Sequence, residues 1–429
     1  MSTLALRDDI ATPKIVKDTK PSGRFMPVEV VKKATDLYEC NHGKPKNTEA
    51  NLVLAFRNEP RLAGLGFNRR TQTVEFRTPP PIGGIARPVT DADSGNMCVW
   101  LTENLGFSGV TSKGVHNAMD TVAYGNSFDP FAERIEAFKW EGKRRLNGWL
   151  PTYCGTPDDE YHRIVGARWV ISTVARALSP GCKADSALVL VGPQETRKST
   201  AARIWALSDE YFFDSRLDMK SDEGAKVLAT SGAVIVEIQE VDKLTNEESG
   251  HVKSFMSLQT DKYRATYGRR MRTAPRGNVF IGTTNHEEFL MDETGGRRFW
   301  AVKVRGTIDT EALQKDIEQL WAEAVVRYKA GESWYLDTPE LRALAAGHAE
   351  SAFKEDAWTP LITTVMTGCT FNPTTAEVLE YALDMKLVAI QPQHTKRCEA
   401  ILTRLGYVKV RKVREGEDVR LRCWERRAV

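Results

Sequence analysis

Between residues 187 and 304, short apolar runs alternate with stretches whose apolar residues recur at helical spacing. The runs 187–191, 233–238, 278–283 and 298–304 are rich in β-branched and aromatic residues, which predicts buried strands. Residues 161–178 place Ile164, Val170, Ile171, Val174 and Leu178 near one helical face, and Pro180-Gly181 follows as a stop. An amphipathic helix is expected there, another long helix over 309–330, and a polar helical stretch over 340–353. Strands alternating with helices predict an α/β sheet with crossover helices.

The flanks read differently. Residues 1–25 are polar, carry Pro13 and Pro21, and are expected to form a flexible lead. Residues 26–148 mix helical pieces (28–38) with strand-like ones (73–76), interrupted by the turn cluster 79–84. Asp91 and Asp93 form a lone D-x-D that reads as a turn, and no carboxylate constellation of a primase or nuclease stands out. At the far end, 374–385 and 395–405 read as helices joined by a turn containing Pro392. Strand-like runs 407–411 and 419–424 follow about a Glu-Gly-Glu turn. Helix, turn, helix and hairpin predict a winged helix over 371–429, after a helical linker over 336–370. Lys396, Arg397 and Arg404, with the basic residues of the hairpin, make this tail a candidate nucleic-acid surface; the alternative is a solvated charged tail.

Composition narrows the class. Hydrophobic content of 41% and charged content of 27% suit a folded globular chain. Sixty basic residues nearly balance 57 acidic ones, for a net charge of +3, so any nucleic-acid surface must be local. No run approaches the roughly 20 apolar residues of a membrane span, and the first residues lack a signal-peptide layout. The expectation is a cytoplasmic protein of a bacterial host with no membrane partner. Seven scattered cysteines without a C-x-x-C argue against a zinc ribbon or disulfide framework.

The candidate chemistry begins at Gly192-Pro193-Gln194-Glu195-Thr196-Arg197-Lys198-Ser199, followed by Thr200. An apolar strand, a loop opened by Gly, then Lys-Ser at a helix start is the layout of a phosphate-binding loop. Backbone N–H groups and a helix N-terminus cradle phosphate there. Lys198 is expected on the phosphates of ATP and Ser199 on Mg²⁺. Arg197 occupies the place of the pattern's second Gly. Downstream, 233–240 is an apolar strand ending in carboxylates: Glu237 fits the metal-side acid, and Glu240 or Asp242 can polarise water. Asn285 ends another buried strand, where an amide can sense phosphate or water. Arg297 and Arg298 follow a Gly pair in the manner of an arginine finger. Lys253, Lys262, Tyr263, Arg264, Tyr267, Arg269, Arg270 and Arg272 interleave base with aromatic, as a single-strand-binding segment does.

Together, Gly192-Pro193-Gln194, Lys198-Ser199-Thr200, Lys253, Asp261-x-Tyr263-Arg264-x-x-Tyr267-Gly268-Arg269, Gly282-Thr283-Thr284-Asn285 and Thr294-Gly295-Gly296-Arg297-Arg298-Phe299-Trp300 resemble the virulence-associated protein E family. These are phage and mobile-element ATPases akin to superfamily 3 helicases. The resemblance implies a P-loop, AAA+-like core over 149–335 and an ATP- and Mg²⁺-dependent helicase or translocase. It further implies action on single-stranded or forked DNA, as a homo-oligomeric ring (a hexamer), during replication of a phage, prophage or satellite element. A primase would be a separate partner. Glu195 also stands where the family has Gly, and a carboxylate near triphosphate is repulsive unless it turns to solvent or pairs with Arg197. That departure keeps a second reading open: a non-motor DNA-binding replication adaptor with a degraded nucleotide site.

Overall fold

The computed structural model describes residues 38–215, 219, 221–264, 271–289, 298–351, 356–413 and 420–426. The chain divides into two compact units, 38–65 with 76–123 and 66–75 with 124–426. In the first, the helices Glu49–Asn58 and Asp91–Leu105 bury Leu52, Phe56, Met97 and Leu101. Asp91 and Asp93 open the second of these helices and do not form a free turn. The Asp93 carboxylate accepts from the Thr90 N–H at 2.7 Å and pairs with Arg87. That guanidinium holds the carboxyl well below the usual carboxylate range, so its role is to cap the helix.

The second unit is built on one parallel sheet. Its elements in chain order are α1 Glu160–Leu178, β1 Ala187–Val191, α2 Lys198–Trp205, β2 Phe212–Phe213, α3 Asp222–Thr230 and β3 Ile235–Ile238. There follow α4 Asn246–Met256, the antiparallel pair β4 Thr260–Arg264 and β5 Met271–Pro275, then β6 Val279–Thr284, β7 Phe299–Lys303 and α5 Thr310–Lys329. The sheet order is β7-β1-β6-β3-β2, every neighbouring pair parallel. All carboxyl ends of the strands therefore share one edge.

Alternate residues of β1 serve opposite faces, as strand geometry requires. Leu188 and Leu190 join one apolar cluster with Trp149, Trp169, Trp205 and Trp321. Ala187, Val189 and Val191 join another with Phe255, Met256 and Phe280. Both faces are covered, the arrangement expected of a parallel sheet. Helix α1 is therefore not amphipathic: its buried residues run around the cylinder, Trp169, Val170, Ile171, Thr173 and Arg176 included. A helix walled in on all sides loses the one-sided stripe.

Two boundaries differ from the sequence reading. Phe131, Ile135 and Leu146 belong to the core cluster, and buried Glu323 of α5 accepts from the N–H groups of Arg145 and Leu146 at 2.6 and 2.9 Å. No domain edge falls at 148. Helix α6 Pro339–Ser351 returns Ala345 to the same core, whereas α7 Thr359–Gly368 packs Ile362 and Met366 with the chain end. The segment expected as a linker is thus shared between two clusters. The end consists of α8 Thr375–Leu383, α9 Pro392–Arg404 and the antiparallel pair β8 Tyr407–Val413 with β9 Arg420–Arg426. Pro392 lies in the first turn of α9, where its missing N–H costs nothing, and not in a preceding turn.

Candidate functional site

Three neighbouring strands, β1, β6 and β3, bring their carboxyl ends together, the edge of an open α/β sheet where ligands bind. After β1 the chain turns through Gly192–Arg197 into α2. Ala201 N–H is the first to find its carbonyl four residues back, at Arg197, so the N–H groups of Lys198, Ser199 and Thr200 have no acceptor within the helix. Glu195 and Arg197 have φ of 65° and 62°, the left-handed region that favours Gly. This explains why these two positions are the ones where the resembled pattern has Gly. The Glu195 side chain is exposed, and Arg197 donates to Thr310 Oγ1 at 3.0 Å. The carboxylate has turned to solvent. Glu195→Gly is expected to stabilise the protein by up to ~1 kcal/mol, the left-handed strain less the added chain entropy of Gly, with ATPase activity equal or higher. Urea melts and hydrolysis rates check this; a large loss of activity assigns Glu195 a role of its own.

Lys198 is only 8% exposed. Its Nζ donates to the carbonyl oxygens of Gly192 and Pro193 at 2.7 and 2.6 Å, to Thr196 Oγ1 at 3.2 Å and to Asn285 Oδ1 at 3.2 Å. Burial lowers the ammonium's pKa, opposed by the charge of Glu237. Glu237, on β3 and 4% exposed, accepts on Oε1 from Ser199 Oγ at 2.6 Å and from Thr283 Oγ1 at 2.8 Å. Its Oε2 is buried without a partner. Lys198 and Glu237 do not touch each other, so the site holds one buried cation and one buried anion, each in contact with neutral partners and acting on the other only from a distance. Such charges are costly unless compensated. An anion at Lys198 and a cation at Ser199 and Glu237 would compensate both.

Other predicted residues make different contacts. Glu240 is exposed and pairs with Lys243, and Asp242 accepts from Thr284 Oγ1. Arg298 immediately precedes β7, so it lies at the amino edge of the sheet, opposite the Gly192–Ser199 loop, with Nε 3.7 Å from Asp185 Oδ2. Arg297, Tyr267, Arg269 and Arg270 lie outside the described residues. Among the described residues no group of three His, Cys, Asp or Glu can hold a metal unaided. A cation at Ser199 and Glu237 would take its remaining ligands from phosphate and water, the habit of Mg²⁺.

The hairpin β4–β5 sorts the base-and-aromatic segment onto two faces. Lys262 and Arg264 are exposed, whereas Tyr263 is 2% exposed and packs with Ala229 and Ala274. A ring so buried cannot stack on a base. Lys253 is 5% exposed on α4, so it is not displayed to solvent. Arg272, opposite Tyr263 in register, is exposed on the inward-facing row. Three buried arginines secure this region from within. Arg276 pairs with Asp261 and lies 4.3 Å over the Phe255 ring. Arg176 donates to the Arg276 carbonyl at 3.1 Å, and Arg70 to that of Gly277 at 3.0 Å and to Asp129 at 2.9 Å. Their only sequence trace is arginine inside otherwise apolar or turn segments.

At the chain end, Lys396 and Arg404 are exposed, but Arg397 is held by Asp356 through two bonds of 2.8 Å and lies 4.0 Å over Trp358. Arg397 is a clasp between α9 and the start of α7. On the hairpin, Arg411 and Arg422 stand directly opposite each other, a like-charge pair that is destabilising unless an anion relieves it.

A sequence model of the Virulence-associated protein E-like domain matches residues 135–354. The chain belongs to this family. The matched segment contains the whole parallel sheet, the Gly192–Ser199 loop and the hairpin. The chain is also similar to the A form apo structure of the NrS-1 C terminal region, at 11% identity and a TM-score of 0.45, covering 83% of this chain and 95% of that one. A second structure of that region, spanning its residues 305–718, aligns at 12% identity and a TM-score of 0.41, covering 80% of this chain and 84% of that one. No curated protein matches. Among the described residues no helix is long and apolar enough to cross a membrane.

Proposed function

We propose that this VapE-like protein is a P-loop nucleoside triphosphatase that acts on DNA as a helicase or translocase of the superfamily 3 type. The observation that carries this reading is the pair of buried charges, Lys198 and Glu237, neither in direct contact with an opposite charge, at the carboxyl edge of the parallel sheet. Lys198 would take the β- and γ-phosphates of ATP. Ser199 and the free Oε2 of Glu237 fit a Mg²⁺ ion, which when bound neutralises phosphate charge. The unpaired N–H groups at the start of α2 supply further phosphate donors. Asn285 already bonds Lys198 and would sense the terminal phosphate; Glu240, released from Lys243, would polarise the attacking water.

Arg298, with Arg297, would act on the nucleotide of a neighbouring subunit, because it stands at the sheet edge away from its own loop. That reading requires a ring, a hexamer by resemblance. DNA contacts are assigned to Lys262, Arg264 and Arg272 of the hairpin and to a winged helix formed by α8, α9 and β8–β9. There Lys396, Arg404 and the Arg411–Arg422 pair offer cations. The setting would be replication of a phage, prophage or satellite element in the bacterial cytoplasm, with a separate primase.

The test is ATP hydrolysis by the purified protein with and without single-stranded DNA. Mg²⁺-dependent hydrolysis stimulated by DNA is expected. The strained φ values of Glu195 and Arg197 favour the second reading, a DNA-binding adaptor with a degraded site, and DNA binding without hydrolysis would establish it instead.

A further inference from the structure

A cavity of about 460 Å³ opens at the amino edge of the sheet, the far side from Lys198. Asn278 and Ala233, just ahead of β6 and β3, line it. Its volume lies in the range of small-ligand pockets. The lining carboxylates are committed: Asp129 pairs with buried Arg70 at 2.8 Å, and Asp261 pairs with buried Arg276. The lining cations Arg69 and Arg272 are exposed, and neither pairs with a carboxylate among the described residues. Phe67 and Tyr124 stack with ring centroids 4.3 Å apart at 29°, and Tyr124 is about half exposed. Asn278 is 4% exposed, and its Oδ1 has no hydrogen-bond partner. A buried amide oxygen without a donor is costly.

We propose that this cavity binds one nucleotide unit. Its base would stack on Tyr124 and offer a ring N–H to Asn278 Oδ1, and its phosphate would lie between Arg69 and Arg272. A bare anion would leave the aromatic pair and the amide unused, and an apolar ligand would strand the two guanidinium groups. Aromatic face, N–H donor and negative charge occur together in a nucleotide. The unit is either a free nucleotide or one residue of a single strand. The site is separate from the Gly192–Ser199 loop and stands whether or not that loop hydrolyses ATP.

The experiment uses the full chain carrying Lys198→Ala, so that the loop contributes no nucleotide signal. Binding of dTMP is followed by calorimetry, and of a fluorescein-labelled oligothymidylate by anisotropy. Tyr124→Ala and Arg69→Glu are then added separately. Both side chains are exposed, and thermal melts check that each variant folds. Tyr124→Ala is expected to weaken binding on the order of tenfold, little changed by salt; the loss in Arg69→Glu is expected to shrink as salt rises. Loss of dTMP binding identifies the free nucleotide as occupant, and loss confined to the oligonucleotide identifies the strand. Folded Tyr124→Ala protein that binds both probes like its parent overturns the proposal.

Discussion

Lys198→Ala is expected to reduce ATP hydrolysis by about two to three orders of magnitude, the usual cost of removing one preorganised charge from a reacting group. The ammonium is ringed by oxygen acceptors from Gly192, Pro193, Thr196 and Asn285, yet no carboxylate touches it. It is a buried cation kept ready for an anion, and burial already pulls its pKa down. In alanine's place the loop carbonyls lose one donor but stay next to an open site, where water can replace it. The cost to folding should therefore be only about 1–3 kcal/mol. The purified variant should show an unchanged circular dichroism spectrum and almost no turnover. Wild-type turnover would remove the phosphate-loop assignment, and with it the leading functional reading.

Mixing two inactive variants is expected to restore activity. Arg298 precedes β7 at the edge opposite its own loop, and a five-residue strand such as β7 spans roughly 17 Å. It cannot serve the nucleotide of its own subunit without rebuilding the sheet. A subunit lacking Arg297 and Arg298 keeps Lys198 and Glu237, and a Lys198→Ala subunit keeps both arginines. Rings containing both should present some interfaces with an intact loop facing an intact arginine pair. DNA-stimulated ATPase should therefore return in part on mixing, with an optimum near equal proportions. If Arg298 served only to hold Asp185, 3.7 Å away, no mixing ratio would help, since a local packing defect is not repaired by a neighbour. Co-assembly without recovered activity, or a monomer in the presence of ATP and DNA, would count against a shared site.

The parts whose signals are local were legible in the order of residues alone. A short apolar run, a Gly-initiated loop and Lys-Ser at a helix start are contiguous, so β1, the loop and α2 were readable within a single stretch. The strands β3, β6 and β7 followed from apolar runs bounded by turn residues, and parallel order from their alternation with helices. Family membership rested on several such words in order. The end hairpin and its two helices were readable for the same reason, although their edges moved by a few residues.

Everything that depends on which distant segments meet was settled by packing. The contacts of Lys198 with Asn285 and of Ser199 with Glu237 exist because β6 lies between β1 and β3, an order that no local periodicity encodes. The same holds for the free Glu237 Oε2, which is a property of burial and not of residue type. Tyr263 and Lys253 looked displayed because the sequence shows charge and aromaticity but not which face is covered; alternation along β4 sends Asp261 and Tyr263 inward and Lys262 and Arg264 outward. Burial of Arg70, Arg176 and Arg276 runs against the usual habit of arginine and rests on carbonyl and carboxylate partners from remote segments. Spacing along a chain fixes the conformation of neighbours a few residues apart, whereas pairing across a sheet is fixed only when the whole chain has packed.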